Sequence, residues 1–141
     1  MTSQKPKAKR KELENWKKFN AFEIVDDIGQ QFITTWWVVN EKENHDGMKV
    51  QVKAHLCLRG YQEKEKLRSD SPTASREMLK VVLVIAVNEG WKAECLDVTA
   101  AFLQGAAIER DVFVKPPKEE HVEGTLWKLL KSGYGLNDAS R

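Results

Sequence analysis

Two neighbouring segments of the sequence have the pattern of β-strands joined by a tight turn, and they constrain the fold more than any other feature. Residues 32–40 (FITTWWVVN) are rich in β-branched and aromatic side chains, which favour strands. Residues 49–58 alternate polar and apolar side chains, as in a strand with one buried face. Between them, residues 44–47 end in Asp-Gly, which suits the positive φ angles of a hairpin turn. The sequence therefore predicts an antiparallel ribbon of two strands.

Two helices are predicted on either side of this ribbon. Leu13, Trp16 and Phe19 recur at a spacing of three, which predicts a helix over residues 12–20. Ser75 is a suitable N-cap and Gly90 a suitable C-terminal stop, so the apolar segment between them predicts a second helix. The apolar residues on one face of this second helix are Met78, Val82, Ile85 and Ala86.

The remaining elements are short. In chain order they are a strand (22–25), a turn (26–29), a loop (60–71), a strand (92–98), a turn or short helix (99–104), two strands of a hairpin (111–115 and 125–131) and the beginning of a helix (134–141). Because helices and strands are interspersed in this order, the pattern indicates an α+β fold.

Composition excludes several classes of protein. No apolar run approaches the roughly 20 residues that a membrane span requires. The first residues are basic but have no apolar core behind them, which is unlike a secretory signal. The two cysteines, Cys57 and Cys95, lie far apart and form no metal-binding pattern. We expect free thiols and an intracellular protein, in the cytoplasm or the nucleus, that is not secreted.

Positive charge is concentrated at the beginning of the chain. The net charge is +2, and five of the 23 basic residues lie within residues 1–11, where there is no acidic residue. The other 18 basic residues face 21 acidic ones, so residues 12–141 carry a charge of −3. We expect residues 1–11 to form a basic, disordered tail. Contact with nucleic acid, or use as a nuclear localisation signal, is the alternative for this tail.

A single carboxylate ends the apolar strand predicted at residues 92–98. Asp97 follows Cys95-Leu96 and precedes a tight turn. Burial of a carboxylate is costly unless a partner compensates its charge, and a divalent cation is one such partner. An N-cap for the following turn is the other interpretation, and it is the more common role of Asp at such a position.

Three separate segments together resemble one family. They are Lys-Ala-His-Leu-Cys-Leu-Arg-Gly (53–60), Asp-Val-Thr-Ala-Ala-Phe-Leu-Gln-Gly (97–105) and Tyr-Gly-Leu-Asn-Asp-Ala-Ser-Arg (134–141). In this order they resemble the reverse transcriptase of copia-type long-terminal-repeat retrotransposons, and the similarity extends from Leu13 to Arg141. The resemblance implies an incomplete right-hand polymerase fold. Its fingers, which contain the β-ribbon, would occupy residues 12–75, and a partial palm would occupy residues 76–141.

The resemblance also implies an activity and a set of site residues. The activity is RNA-directed DNA synthesis by two-metal nucleotidyl transfer, with Mg²⁺ as cofactor and with a template–primer of RNA or DNA and deoxynucleotide triphosphates as partners. Asp97 would be the first catalytic carboxylate and a metal ligand. The nucleotide would contact Phe102, as a steric gate against the 2′-hydroxyl, together with Lys53, Arg59 and the Val98 carbonyl. The template–primer would lie near Gln104, Gly105, Tyr134 and Gly135.

Two departures from the family pattern affect the expected activity. His55 stands where the family usually has Arg, which weakens the case for nucleotide binding because His is mostly neutral at pH 7. The family's other two catalytic carboxylates lie in an aromatic-Val-Asp-Asp hairpin downstream of the Tyr134 segment, and residues 1–141 do not contain it there. The similar run Ile-Val-Asp-Asp (24–27) precedes Asp97 and is interpreted as an ordinary turn.

We therefore expect these 141 residues to be inactive alone. One alternative is a non-enzymatic, nucleic-acid-binding remnant, and another is a reading frame of a decayed element without a selected role.

Overall fold

The computed structural model describes residues 4–43, 50–64 and 74–137. The elements, in chain order, are helix α1 (Gln4–Lys18), strands β1 (Phe22–Asp26), β2 (Ile33–Glu43) and β3 (Val50–Leu58), helix α2 (Arg76–Asn88), and strands β4 (Phe113–Lys115) and β5 (Thr125–Leu129). Short 3₁₀ turns lie at Gly60–Gln62 and Ala101–Gln104. No helix among these residues is both long and apolar enough to cross a membrane.

The five strands form one sheet in the order β1-β5-β4-β2-β3. The β2–β4 pair is parallel and the other pairs are antiparallel. A largely antiparallel sheet with helices outside it is an α+β arrangement, as the sequence predicts.

The ribbon of β2 and β3 confirms the strongest sequence prediction. The two strands are antiparallel, with Val38 opposite His55 and Asn40 opposite Lys53. On β3 the buried side chains Ala54, Leu56 and Leu58 alternate with less buried ones: Lys53 is exposed, and His55 and Cys57 are half-buried. The turn predicted at residues 44–47 lies outside the described residues.

Helix α1 packs across β3 through its last turns. Leu13 is buried and Trp16 is fully buried, where its indole meets the ring of Trp127 with centroids 6.0 Å apart. Trp127 stacks on Phe22 at 3.8 Å, which joins the helix to both β1 and β5. Large aromatic rings in such contacts contribute much of the burial in a small core. Around them the core consists of Ala21, Ile33, Leu56, Leu58, Leu103, Val112, Val114, Leu129 and Leu136.

Helix α1 begins at Gln4, so it includes most of the segment that the charge pattern predicts as a disordered tail. Its lysines have partners on the sheet side: Lys5 with Glu41 (3.1 Å), Lys9 with Glu119 (2.8 Å) and Lys17 with Glu120 (2.7 Å). Exposed ion pairs each contribute only about 0–1 kcal/mol. The burial of Leu13 and Trp16 therefore anchors the helix, and the ion pairs orient its basic side.

Helix α2 has the predicted ends. The Ser75 hydroxyl accepts a hydrogen bond from the Met78 N–H at 3.2 Å. At the other end Gly90 has a φ of +67°, and the N–H groups of Gly90 and Trp91 bond back to Val87 and Ala86. This pair of bonds is a Schellman motif, which satisfies the last helical carbonyls. None of the helix's residues is buried, so its apolar face has no cover among the described residues.

The strand predicted at residues 92–98 is wrong for this structure. The segment has no regular secondary structure, and Leu96 is 87% exposed. A strand is stable only when a neighbouring strand pairs with its backbone groups, and no strand of the described chain lies beside this one. The apolar composition of this segment is typical of a strand, but composition alone does not supply a neighbouring strand to pair with.

The later predictions are confirmed in part. The turn Ala101–Gln104 ends at Gly105, and β4 stops before Pro116 and pairs with β5. Residues 134–137 form a turn, and the remainder of the predicted helix at residues 134–141 lies outside the described chain.

Candidate functional site

The first and third of the family-like segments meet backbone to backbone. The Leu58 N–H donates to the Tyr134 carbonyl at 2.6 Å, and the Gly60 N–H donates to the Gly135 carbonyl at 3.1 Å. The Asn137 side-chain amide also donates to the Gly60 carbonyl at 3.1 Å. A Cβ atom on Gly60 would overlap the Gly135 carbonyl, and one on Gly135 would overlap the Leu58 carbonyl. Both glycines are therefore required by this close approach.

The ring of Tyr134 brings the second segment to the same place. Its centroid lies 4.7 Å from that of Phe102 in an edge-to-face contact, and 5.0 Å from that of His55. Edge-to-face pairs are a favoured aromatic geometry. Tyr134 thus joins a residue of β3 and a residue of the turn that follows Asp97.

The turn that carries Phe102 is held by its own side chains. Ala100 has a left-handed φ of +52°, and the Gln104 amide donates to the Thr99 carbonyl at 2.7 Å. The Lys131 ammonium donates to the Gly105 carbonyl at 2.7 Å. Gln104 and Gly105 are predicted to contact the template–primer. Both are exposed, and in the structure their hydrogen bonds stabilise the turn itself.

A buried carboxylate lies behind the aromatic cluster. Glu12 of α1 is only 7% exposed, its Oε1 accepts from the Leu56 N–H at 3.4 Å, and the same oxygen lies 3.8 Å from His55 Nδ1. His55 Nδ1 is buried and makes no hydrogen bond to any residue that the structure describes. Sequence analysis missed Glu12, because a Glu in a lysine-rich helix is typical of a solvated face. Its position beside Leu13 on the buried side was the available signal.

This carboxylate affects two neighbouring groups. Burial raises the pKa of the Cys57 thiol, and the negative charge of Glu12 adds to that effect. Burial also raises the pKa of Tyr134, assisted by the charges of Glu12, Cys57 and Asp97. Asp97 therefore lies within electrostatic reach of the Tyr134 hydroxyl, although the Asp97 side chain is exposed.

A cavity of about 200 Å³ lies between α1, β3 and the turn at Thr99–Ala100. Its charged and aromatic lining consists of Lys11, Glu12, Lys53, His55 and Tyr134, and its uncharged polar lining consists of Asn15, Gln51 and Thr99. A larger cavity of about 500 Å³ lies elsewhere, next to the ion pair of Arg110 and Glu63. The larger one contains none of the predicted site residues, so volume alone does not identify the site.

The structure brings together some of the predicted site residues and not others. Lys53 and Tyr134 line the smaller cavity, Phe102 contacts Tyr134, and the Gly135 carbonyl accepts from the Gly60 N–H just after β3. Arg59 does not line the cavity, and its backbone N–H donates to Thr34. The predicted catalytic Asp97 and its neighbour Val98 lie on the exposed irregular segment.

The described residues do not by themselves form a metal centre. Hard divalent ions take about six or more oxygen ligands, usually from several carboxylates and waters. No group of three or more His, Cys, Asp or Glu residues that could hold a metal ion occurs in residues 4–43, 50–64 and 74–137, so Asp97 belongs to no such group there.

Comparison with known proteins gives the class. Residues 19–141 match the family model described as "Reverse transcriptase (RNA-dependent DNA polymerase)". The chain belongs to this reverse transcriptase family, in its copia-type branch. Membership in the family implies, in general, a divalent metal cofactor.

Curated relatives agree with this class. The chain is 30% identical over 142 residues to the retrovirus-related Pol polyprotein from transposon TNT 1-94 of Nicotiana tabacum, which covers 96% of the chain. It is 33% and 32% identical to the corresponding polyproteins from transposons RE1 and RE2 of Arabidopsis thaliana, each over 74% of the chain. The chain spans only 8–11% of the length of these relatives. No solved structure gives a significant match.

Proposed function

We propose that this chain forms the fingers and the first part of the palm of an RNA-directed DNA polymerase that copies retrotransposon RNA. The observation that carries the proposal is the convergence at Tyr134. Three segments that are far apart in the sequence meet at this residue: its backbone carbonyl accepts a hydrogen bond from the Leu58 N–H, and its ring makes the edge-to-face contact with Phe102. Convergence of separated motifs on one cavity is typical of a binding site.

In this proposal each predicted residue has a role that follows from its chemistry. Lys53, which projects from β3 into the cavity, binds phosphate as a positive point charge. His55 occupies the neighbouring wall and supplies a second nitrogen donor there. Phe102 acts as the gate against the 2′-hydroxyl, since its ring is half-buried against Tyr134 and its position is fixed by that contact.

Asp97 is proposed as one ligand of the divalent metal. The remaining ligands lie outside the described residues, because a single carboxylate does not complete a site for two metal ions. Gln104, Gly105, Tyr134 and Gly135 are proposed to border the template–primer. For the same reason we propose that residues 1–141 alone do not extend a primer.

A chimera tests the proposal. Residues 1–141 are joined in frame to the segment that follows the matched region in the tobacco relative, and extension of oligo(dT) on poly(A) with Mg²⁺ and thymidine triphosphate is measured. We expect extension by the chimera, none by residues 1–141, and loss in Asp97→Asn. Glu94→Gln, three residues earlier on the same exposed segment, is the matched control.

Two results would contradict the proposal. One is extension by the Asp97→Asn chimera at the rate of the parent. The other is a chimera that unfolds cooperatively but neither binds template–primer nor extends it.

A nucleic-acid-binding remnant has less support. That alternative relies on the basic beginning of the chain together with the ribbon of β2 and β3, yet Lys5, Lys9 and Lys17 of the basic helix are engaged with glutamates. The positive charge of these three lysines is therefore partly neutralised, which weakens their attraction for a phosphate backbone.

A further inference from the structure

We propose that helix α1 completes an anion-binding cleft, in which Lys11 of the helix and Lys53 of β3 bind phosphate groups together. The inference deepens the proposed function, since it adds α1 to the nucleotide- or nucleic-acid-binding surface. Helix α1 precedes residue 19, where the family match begins.

The first support is geometric. The cavity of about 200 Å³ has α1 as one wall and β3 as the other, with Lys11 and Lys53 in opposite walls and the Thr99 turn at one end. Pockets that enclose a whole drug-sized ligand have volumes of roughly 300–1,000 Å³. This smaller cleft therefore matches phosphate groups, with the rest of the ligand lying outside it.

The second support is charge. Lys11 and Lys53 are exposed and form no ion pair within residues 4–43, 50–64 and 74–137, whereas Lys5, Lys9 and Lys17 each have a glutamate partner. The helix thus uses one set of lysines to orient itself on the sheet and leaves Lys11 available at the cleft. An ammonium group that has no partner is the group that gains most from a phosphate oxygen.

Glu12 does not cancel this charge at the mouth of the cleft. Its carboxylate is turned toward the strand, where it meets the Leu56 N–H and the His55 ring, and its side chain is 9% exposed. The lining of the cleft therefore contains two exposed ammonium groups and one carboxylate, which is buried.

The third support is the supply of uncharged donors. Asn15, Gln51 and Tyr134 line the same cleft, and none of these side chains makes a hydrogen bond to another residue of the described chain. Amide and hydroxyl groups in this state are available to phosphate oxygens. The cleft thus combines two cations with several unused donors, which is the composition of a phosphate site.

The test is isothermal titration calorimetry on the full 141-residue chain at about 0.15 M ionic strength, where charges more than roughly 8 Å from the ligand are largely screened. The probes are inorganic tripolyphosphate, thymidine triphosphate and a 16-residue oligo(dT). We expect Lys11→Gln and Lys53→Gln each to weaken binding roughly tenfold, as for loss of one charge-assisted contact. Lys18→Gln, which removes the same charge from the same helix away from the cleft, is expected to stay within about twofold.

The outcomes separate the inference from the proposed function. If Lys11→Gln binds as the parent does while Lys53→Gln is weakened, α1 takes no part in the cleft and the proposed function stands. If Lys18→Gln is weakened as much as Lys11→Gln, bulk charge explains binding and the cleft is rejected. If the parent chain binds none of the three probes, both the cleft and the proposed nucleotide site are rejected.

The probes also distinguish the source of the phosphate. Sensitivity to Lys11→Gln with thymidine triphosphate but not with oligo(dT) supports a nucleotide in the cleft. The reverse pattern supports the backbone of a single strand. Circular dichroism of each variant checks that the fold is retained after the exposed lysine is replaced.

Discussion

The carboxylate oxygen Oε1 of Glu12 lies 3.8 Å from Nδ1 of His55, and both groups are withdrawn from solvent between α1 and β3. A buried carboxylate with few hydrogen bonds acts on its neighbours through a medium of low dielectric constant. Glu12 therefore influences the thiol of Cys57 and the hydroxyl of Tyr134, neither of which it contacts in a hydrogen bond.

The first prediction concerns the reactivity of Cys57. Because burial and the charge of Glu12 disfavour its thiolate, Cys57 should react with iodoacetamide at pH 8 at least severalfold more slowly than the exposed Cys95. Glu12→Gln should increase the Cys57 rate and leave the Cys95 rate unchanged. Mass spectrometry of the two alkylated peptides measures both rates. Equal rates at the two cysteines in the folded chain would contradict the prediction.

The second prediction concerns stability at alkaline pH. The pKa values of Cys57 and Tyr134 are raised in the folded chain, so the folded state holds these protons more tightly than the unfolded state. Their contribution is complete below the unfolded pKa values and is lost as the pH rises through the folded ones. The urea concentration at the midpoint of unfolding should therefore decrease as the pH is raised from about 9 to about 11.

A pair of tyrosine variants provides the control for this pH dependence. Tyr134→Phe should flatten the decline, whereas Tyr61→Phe, which changes an exposed ring, should leave it as in the parent. A decline that is identical in all three chains would show that Tyr134 does not contribute.

The third prediction concerns the close approach at Gly135. Gly135 and Gly29 have nearly the same positive φ, +88° and +86°, but only Gly135 has backbone atoms where a Cβ would lie. Gly29→Ala should cost about 1 kcal/mol of unfolding free energy from backbone strain. Gly135→Ala should cost at least about 2 kcal/mol more, because the Leu58 carbonyl must move. Urea unfolding monitored by tryptophan fluorescence measures both, and similar losses would disprove the close approach.

The fourth prediction compares a core position with the uncovered helix. Leu56→Ala removes a fully buried side chain and should cost about 2–5 kcal/mol. Val82→Ala on α2 should cost less than about 0.5 kcal/mol, because Val82 is half exposed and no residue of α2 is buried. Chemical denaturation of the two variants tests the contrast. A large loss from Val82→Ala would mean that α2 has a covered face.

Elements that depend on local pattern were predictable from the sequence. The alternation on β3, the Ser75 cap and the Gly90 stop depend on residues within a few positions of one another, and the structure has all three. The family-like segments also single out Lys53, Phe102 and Tyr134: Phe102 contacts Tyr134, and Lys53 and Tyr134 line one cavity, whereas their functional roles stay predictions. These patterns each occupy a short segment of the chain, where side-chain chemistry and backbone preference favour the same local structure.

The remainder depends on pairings between distant residues. The strand predicted at residues 92–98 has the right composition but no neighbouring strand in the described chain. Lys11 and Glu12 lie in a helix whose composition is that of a solvated segment. Only the docking of this helix on β3 places Lys11 at a cleft and buries Glu12. No local pattern encodes that docking, which depends on the burial of Trp16 against Trp127.

The crossing of Gly60 and Gly135 has a consequence for how such a sequence can change over generations. The two positions lie far apart in the sequence, yet a side chain at either one would overlap a backbone carbonyl of the other segment. Because every residue has that carbonyl, replacing one glycine does not make room for replacing the other. Across related sequences, variation should therefore be free in the intervening loops, whereas positions 60 and 135 should both be kept as glycine.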